Sequence, residues 1–265
     1  MDKDTVISVL SSNGLNAQSR FGQNFLCDDS VINKIIEISG IKPGSSVLEI
    51  GPGLGALTEK AIELGADYTG VEIDRGLFEV LKDTYGDKFI CSDYLKLEKE
   101  SYSKDFDKVI SNIPYYVMTP IIKKLLTDCT VADKMTFMVE EDAIDRIIAS
   151  PNTKQYGPLA VLCSVYGDVK KEFTVQSSCF YPAPHTTSAV ISLTRRNGFV
   201  INEDFCEFVE AAFSMRRKTL INSLKAFSQS HGSDIENILD NLGIDKKVRA
   251  EAIEPALFVS MFEQI

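Results

Sequence analysis

The chain has 265 residues, 44% of them hydrophobic, and a formal net charge of −10 at pH 7. That is enough apolar material for one large domain or a domain with a smaller companion, and the acidity excludes a protein that coats nucleic acid through a general positive field. The opening MDKDTVISVL has acids where a secretory leader needs bases, no apolar run approaches the roughly 18 residues of a membrane span, and the six cysteines include no C-x-x-C pair. A cytoplasmic protein with free thiols, no membrane attachment and no metal site is expected.

From residue 45 onward, β-like runs alternate with helix-like ones: SVLEI (46–50), YTGVEI (68–73), KFICS (88–92), KVISN (108–112) and MTFMVE (135–140). This alternation predicts βαβ units and an α/β fold whose mostly parallel sheet is covered by helices. EFTVQ (172–176) and AVISLT (189–194) suit an antiparallel pair at the sheet edge. After Arg195-Arg196-Asn197-Gly198 the pattern turns helical, with Phe205, Phe208, Val209, Ala212 and Phe213 at 3- and 4-residue spacing. Ser233-x-x-Glu236 reads as a capping box, Gly243 as a stop and Pro255 as a first-turn proline. The expected division is a domain over 1–196 and a small all-helical domain over 197–265.

The chemistry-bearing residues fall where the parallel strands end. Glu49-Ile50-Gly51-Pro52-Gly53-Leu54-Gly55 follows the first strand and opens a helix, so its glycines let the backbone turn tightly beside a bound cofactor. The same loop matches G-x-G-x-x-A, which leaves a nicotinamide enzyme as a rival. Glu72 ends the next strand, where a carboxylate can accept both hydroxyls of a ribose. Asp74 reads either as part of that site or as a surface acid capping the next helix. Asp93 follows the third strand, as an acceptor for an adenine amino group or as a helix cap. Asn112-Ile113-Pro114-Tyr115 follows the fourth.

This last motif suits methylation of an aromatic amine. The lone pair of adenine N6 is delocalised into the ring and is a poor nucleophile. The Asn112 side-chain oxygen and a main-chain carbonyl of the Ile113-Pro114 turn can each accept one N6–H, Pro114 keeps the turn rigid, and Tyr115 stacks on the base. Positioning and electrostatic complementarity then carry the rate without a strong general base. The methyl donor expected is S-adenosylmethionine. The base must be flipped out or presented in an unpaired loop.

The stretches RFGQNFLCD (20–28), VLEIGPGLGALTE (47–59), VEID (71–74), SDYLKL (92–97), NIPYY (112–116), YGPLAVL (156–162), FYPAPHTTSAV (180–190) and FSMRRKTLINSL (213–224) resemble, in one order, the KsgA family of ribosomal RNA adenine N6,N6-dimethyltransferases. The resemblance spans essentially the whole chain. It implies a class I, Rossmann-like S-adenosylmethionine-dependent methyltransferase with a small helical C-terminal domain. It also implies dimethylation of two adjacent adenosines in the 3′-terminal hairpin of small-subunit rRNA. A monomer acting on that rRNA within a pre-assembled 30S-type particle is expected, although the sequence leaves naked RNA open as the substrate. The family's cofactor-binding positions here read Asn24, Leu26, Gly51, Glu72, Asp93 and Asn112. Phe180 corresponds to an aromatic that packs on the target base opposite Tyr115. The chain departs from the family at Tyr116-Val117-Met118 in place of N-I-S, at Glu140-Glu141 in place of Q-K, and at Pro184-His185-Thr186-Thr187-Ser188 in place of P-x-V-D-S.

Gly22-Gln23-Asn24-Phe25-Leu26 is expected to form a lid on the cofactor. In so acidic a chain the consecutive cations Arg216-Arg217-Lys218, with Arg20, are expected to meet RNA phosphate. An Erm-type large-subunit methyltransferase, an N-P-P-Y enzyme acting on DNA or protein, and a non-catalytic assembly factor are the alternatives. GQNFL and RRKTL favour the small-subunit reading, Ile113 replaces the first proline of N-P-P-Y, and the intact cofactor positions argue for catalysis.

Overall fold

The computed structural model describes residues 1–18, 22–102, 104–196 and 198–265. Among the described residues nine strands run in chain order as β1 (Phe25–Leu26), β2 (Ser46–Ile50), β3 (Asp67–Glu72), β4 (Phe89–Cys91), β5 (Lys108–Asn112), β6 (Lys134–Glu140), β7 (Gly167–Val175), β8 (Phe180–Tyr181) and β9 (Ser188–Arg195). The α-helices are α1 (Lys3–Ser12), α2 (Asp29–Ser39), α3 (Ala56–Glu63), α4 (Arg75–Tyr85), α5 (Met118–Asp128), α6 (Ile144–Ile147), α7 (Pro158–Tyr166), α8 (Glu203–Phe213), α9 (Leu220–His231), α10 (Ile235–Asn241) and α11 (Pro255–Phe262). Seven strands form one sheet in the order β4-β3-β2-β5-β6-β9-β7, while β1 and β8 pair separately.

The pairings from β4 through β6 are parallel and β6–β9 is antiparallel. This order reverses direction at the centre: from β2 the chain moves outward through β3 to β4, then returns to place β5 on the other side. The C-terminal ends of β2 and β5 therefore flank the crevice in which an open α/β sheet binds ligands. The two strands expected at the edge are neighbours there, with β9 antiparallel to β6 and β7 beside β9.

Apolar spacing explains the layer over the sheet. In α2, Asp28 caps the first turn by accepting from Val31 N at 3.0 Å, and Gly40 ends the helix at φ 67°. Ile32, Ile35 and Ile36 then share one face and pack with Leu57 and Ala61 of α3 onto Val47, Ile110, Met138 and Val190 of the sheet. A second cluster joins Val6 and Leu10 of α1 to Phe25, Leu54 and Leu77.

The chain divides into two compact units, one of residues 1–124, 131–144 and 170–195, the other of 125–130, 145–169 and 196–265. The edge at Arg196 coincides with the change of pattern in the sequence, but residues 145–169, with α7, cluster with the C-terminal helices. In the second unit α8 buries Phe205, Cys206, Phe208, Val209, Ala212 and Phe213, the face that its spacing predicts. The capping box at Ser233 does not form. Asp234 caps α10 by accepting from Asn237 N at 3.2 Å, and Ser233 Oγ is buried without a hydrogen bond. Asp234 stands in the position whose side chain reaches the amides of the first turn, and Ser233 lies one residue outside it. Among the described residues no helix is long and apolar enough to cross a membrane.

Candidate active site

A cleft of about 820 Å³, partly open to solvent, lies at the C-terminal ends of β2, β3 and β5. Its walls come from residues 22–26, from the loop 51–54 with Ala56 and Leu57, from Glu49, Glu72, Ile73 and Leu77, and from Asn112 to Tyr115. The floor is built by the glycine loop. Gly53 has φ 62° and Gly55 φ 87°, and a Cβ on Gly55 would lie 2.9 Å from the Tyr85 ring. A side chain there would strain the backbone and push aside the Tyr85 ring, so the tight turn into α3 requires glycine.

Two buried carboxylates hold this loop. Glu72 Oε2 accepts from Gly53 N at 3.0 Å and Oε1 accepts from Asp74 N at 2.9 Å. Glu49 Oε2 accepts from Thr58 Oγ1 at 2.8 Å and from the Tyr68 hydroxyl at 2.7 Å, tying α3 to β2 and β3. Burial pushes the carboxyls of Glu49 and Glu72 each up to about 7, against the hydrogen bonds that favour their charged forms. Glu49 was visible in the sequence only as part of the loop motif; the pattern carried no signal that Thr58 and Tyr68 would meet it.

Asp74 is the helix cap of the second sequence reading, but it is buried. Its Oδ1 accepts from Gly76 N at 2.8 Å and Leu77 N at 3.3 Å. Its Oδ2 accepts from Gln18 Nε2 at 2.9 Å and Gln23 Nε2 at 3.1 Å, which anchors the N-terminal segment over the cleft. Gln23 thus ties the segment to the start of α4 by its side chain, Asn24 ties it to β5 by its main-chain oxygen, and the Asn24 side chain donates to Gly22 O at 3.1 Å within the segment. Leu26 is buried and lines the cleft.

At the end of β5, Asn112 Nδ2 donates to the main-chain oxygen of Asn24 at 3.0 Å. The amide is thus oriented by its donor end, and Oδ1 makes no hydrogen bond among the described residues. Ile113 N donates to Met138 O at 3.0 Å, while Pro114 O accepts from Val117 N at 3.1 Å. The Ile113 carbonyl is the one that the turn leaves without a hydrogen bond among the described residues. The Tyr115 hydroxyl lies 2.5 Å from Ser188 Oγ of β9, and burial raises its pKa. This bond fixes the ring at the wall of the cleft; Ser188 is the last residue of the departed P-x-V-D-S segment.

Two expected site residues lie differently. Phe180 is 2% exposed and packs with Leu26, Ile32, Val175 and Val190, and it is not among the residues lining the cleft. Its strand pairing with Leu26 directs a large apolar ring into the core, where its burial is favourable. Asp93 also stands outside the lining; its Oδ1 accepts from Leu95 N at 3.1 Å as a cap, with Lys96 Nζ at 3.9 Å from Oδ2.

The expected RNA residues separate as well. Arg216 donates to Lys154 O at 3.0 Å and pairs with Glu251 at 3.6 Å. Arg217 and Lys218 are exposed in the turn after α8 and make no ion pair among the described residues. Arg20 lies outside the described residues. Glu141, where the resembled family has lysine, is paired with Lys171 at 2.6 Å.

A family model described as Ribosomal RNA adenine dimethylase matches residues 14–265. The chain is 34% identical over 281 residues to ribosomal RNA small subunit methyltransferase A of Streptococcus thermophilus, covering 100% of this chain and 97% of that one. Among solved structures, a dimethyladenosine transferase from Plasmodium falciparum superposes with a TM-score of 0.73 at 22% identity, covering 89% of this chain and 95% of that one. The 23S rRNA methyltransferase ErmE gives 0.60 at 24% identity, covering 91% and 99%. The fold is that of the class I methyltransferases.

Proposed function

The chain belongs to the ribosomal RNA adenine dimethylase family, and we propose that it transfers methyl groups from S-adenosylmethionine to the N6 atoms of two adjacent adenosines in the 3′-terminal hairpin of small-subunit rRNA. It is an S-adenosylmethionine-dependent methyltransferase, and the residues of the cleft fit that cofactor. The glycine loop offers an unfilled turn at Gly51, where a Cβ would meet nothing within 4 Å. Glu72 supplies carboxylate oxygens for ribose hydroxyls, Asn24 and Leu26 form part of the cover, and Phe25, Leu54, Ile73 and Leu77 supply an apolar lining. Asp93, at the end of β4, serves the adenine amino group when its Oδ2 turns from Lys96. The bound cofactor supplies an activated methyl group on a sulfonium.

The single observation that carries the reading is the pair of free acceptors beside a fixed ring: Asn112 Oδ1, the Ile113 carbonyl and Tyr115. Each acceptor takes one N6–H, which turns the nitrogen lone pair away from both and towards the methyl group. Tyr115, pinned by Ser188, stacks on the base, and Pro114 limits the turn to one conformation. As the N–C bond forms, the nitrogen gains positive charge and the two oxygens bind its hydrogens more tightly, so the contribution is largest in the transition state. The resulting ammonium is acidic and releases its proton to water.

We assign phosphate binding to Arg217 and Lys218, with Arg216 and Arg20 as further members, and Phe180 to a supporting place beneath the cover. The helical unit is taken to bind RNA and the sheet unit to carry the chemistry. The protein acts in the cytoplasm as a monomer on a pre-assembled small-subunit particle. Calorimetry with S-adenosylmethionine and with NAD, followed by labelled methyl transfer to separated small- and large-subunit RNA, tests the proposal. Binding of the first cofactor alone and label in small-subunit RNA are expected; label in large-subunit RNA alone would assign the Erm-type activity instead.

A further inference from the structure

Tyr115 and Tyr116 are neighbours in the chain but take opposite environments. The Tyr115 hydroxyl is bound to Ser188 and its ring lines the cleft. Tyr116 is 61% exposed, and its hydroxyl makes no hydrogen bond among the described residues. An exposed tyrosine alone means little. This one is braced from behind: Gly22 has φ 60°, and a Cβ there would lie 3.4 Å from Cδ1 and Cε1 of the ring and 3.7 Å from Pro114. The ring thus lies close to Gly22, in the segment that covers the cleft, with most of the residue's surface presented to solvent beside the cleft mouth.

We propose that Tyr116 is the stacking platform for the nucleobase adjacent to the one held in the cleft. The inference rests on the adenine-methylation reading above. Tyr115 and Tyr116 are successive residues, one lining the cleft and the other exposed beside it, so each offers a ring to one of two successive unstacked bases. A base leaving a helix loses its stacking partner, and an aromatic side chain replaces that partner for any base, whatever its edge pattern. The composition makes this useful: the chain's 28 Lys and Arg are outnumbered by 38 Asp and Glu, and stacking is indifferent to the surrounding negative charge. The position also falls where the chain departs from the resembled family, and Phe180, the other aromatic expected at the base, is buried in the core. When the first base has been methylated, the neighbour already ordered on Tyr116 is the next to enter the cleft.

The experiment uses small-subunit particles whose rRNA carries 2-aminopurine in place of one or the other of the two adjacent adenosines. Fluorescence is read on binding wild type, Tyr116→Phe and Tyr116→Ala, with cofactor affinity and methyl transfer measured in parallel. The wild type and Tyr116→Phe quench the probe at the position next to the bound base. Tyr116→Ala loses that quenching and binds about 5- to 150-fold more weakly, the equivalent of one base–aromatic stack, with cofactor affinity unchanged. Wild-type quenching in Tyr116→Ala, or weaker binding with quenching intact, overturns the role of Tyr116 while wild-type methylation leaves the adenine reading standing. A wild type that transfers no methyl to small-subunit RNA overturns both.

Discussion

Asn112 donates its side-chain N–H to the main-chain oxygen of Asn24 across 3.0 Å, so the cover of the cleft and the end of β5 set the orientation of the same amide. Replacing Asn112 with alanine removes an acceptor that binds most strongly in the transition state. Methyl transfer should fall by about 10²- to 10³-fold, as for loss of one oriented group in other enzymes, with only a modest loss of cofactor affinity. Asn112→Asp keeps an acceptor but loses the N–H to Asn24, and should also be impaired. Single-turnover rates within a few-fold of wild type would remove Asn112 from the mechanism.

The Tyr115–Ser188 bond gives a second prediction. Ser188 is fully buried, so Tyr115→Phe keeps the stacking ring but leaves the serine hydroxyl without its partner, a loss of about 1–3 kcal/mol in stability. Methyl transfer should change much less in Tyr115→Phe than in Tyr115→Ala. A double-mutant cycle of Tyr115→Phe with Ser188→Ala, read by denaturant unfolding, should show strong coupling; additive effects would separate the two residues.

What the sequence carried openly were the features set by local chemistry. Strand and helix periodicity, the glycine turn and the Asn112–Tyr115 motif all depend on neighbours in the chain, and all stand where expected. The N-terminal helices α1 and α2 lay unread because their role is fixed by distant partners, Leu77 for α1 and the sheet for α2. The same cause hid the burial of Phe180, which follows from pairing β8 with β1, and the affiliation of residues 145–169 with the helical unit. Composition could not show that Arg216 is tied to Glu251, because an ion pair between residues distant in sequence leaves no periodic trace.

The buried carboxylates predict an unusual pH dependence. The folded-state values of Glu49 and Glu72 are raised to about 7 from 4.5, so between these values the folded protein binds more protons than the unfolded chain. Their contribution is fully present below the unfolded value and is lost as pH rises through the folded one. Each group lowers stability by roughly 1.4 kcal/mol per pH unit within that window. Glu49→Gln, which keeps an acceptor for Thr58 and Tyr68 but cannot ionise, should flatten the dependence of Tm between pH 5 and 7; an unchanged slope would show that Glu49 does not titrate there.

Neutralising Arg217 and Lys218 should lower particle affinity and reduce the slope of log affinity against log salt by roughly 0.7 to 0.9 for each phosphate no longer neutralised. Cofactor affinity should not change. Arg216→Ala should have a smaller effect on the slope, since Glu251 already pairs with that guanidinium. Equal slopes and intercepts for wild type and the double variant would place the phosphate-binding cations elsewhere.

The most direct test is to map the methylated nucleotides. Small-subunit particles from cells lacking the protein are incubated with purified enzyme and S-adenosylmethionine, and the rRNA is digested and read by mass spectrometry. Two adjacent N6,N6-dimethyladenosines in the 3′-terminal hairpin are expected with the wild type, and almost none with Asn112→Ala over the same interval. Unmodified adenosines with active wild-type protein, or methyl groups on a different atom or a different RNA, would contradict the assignment.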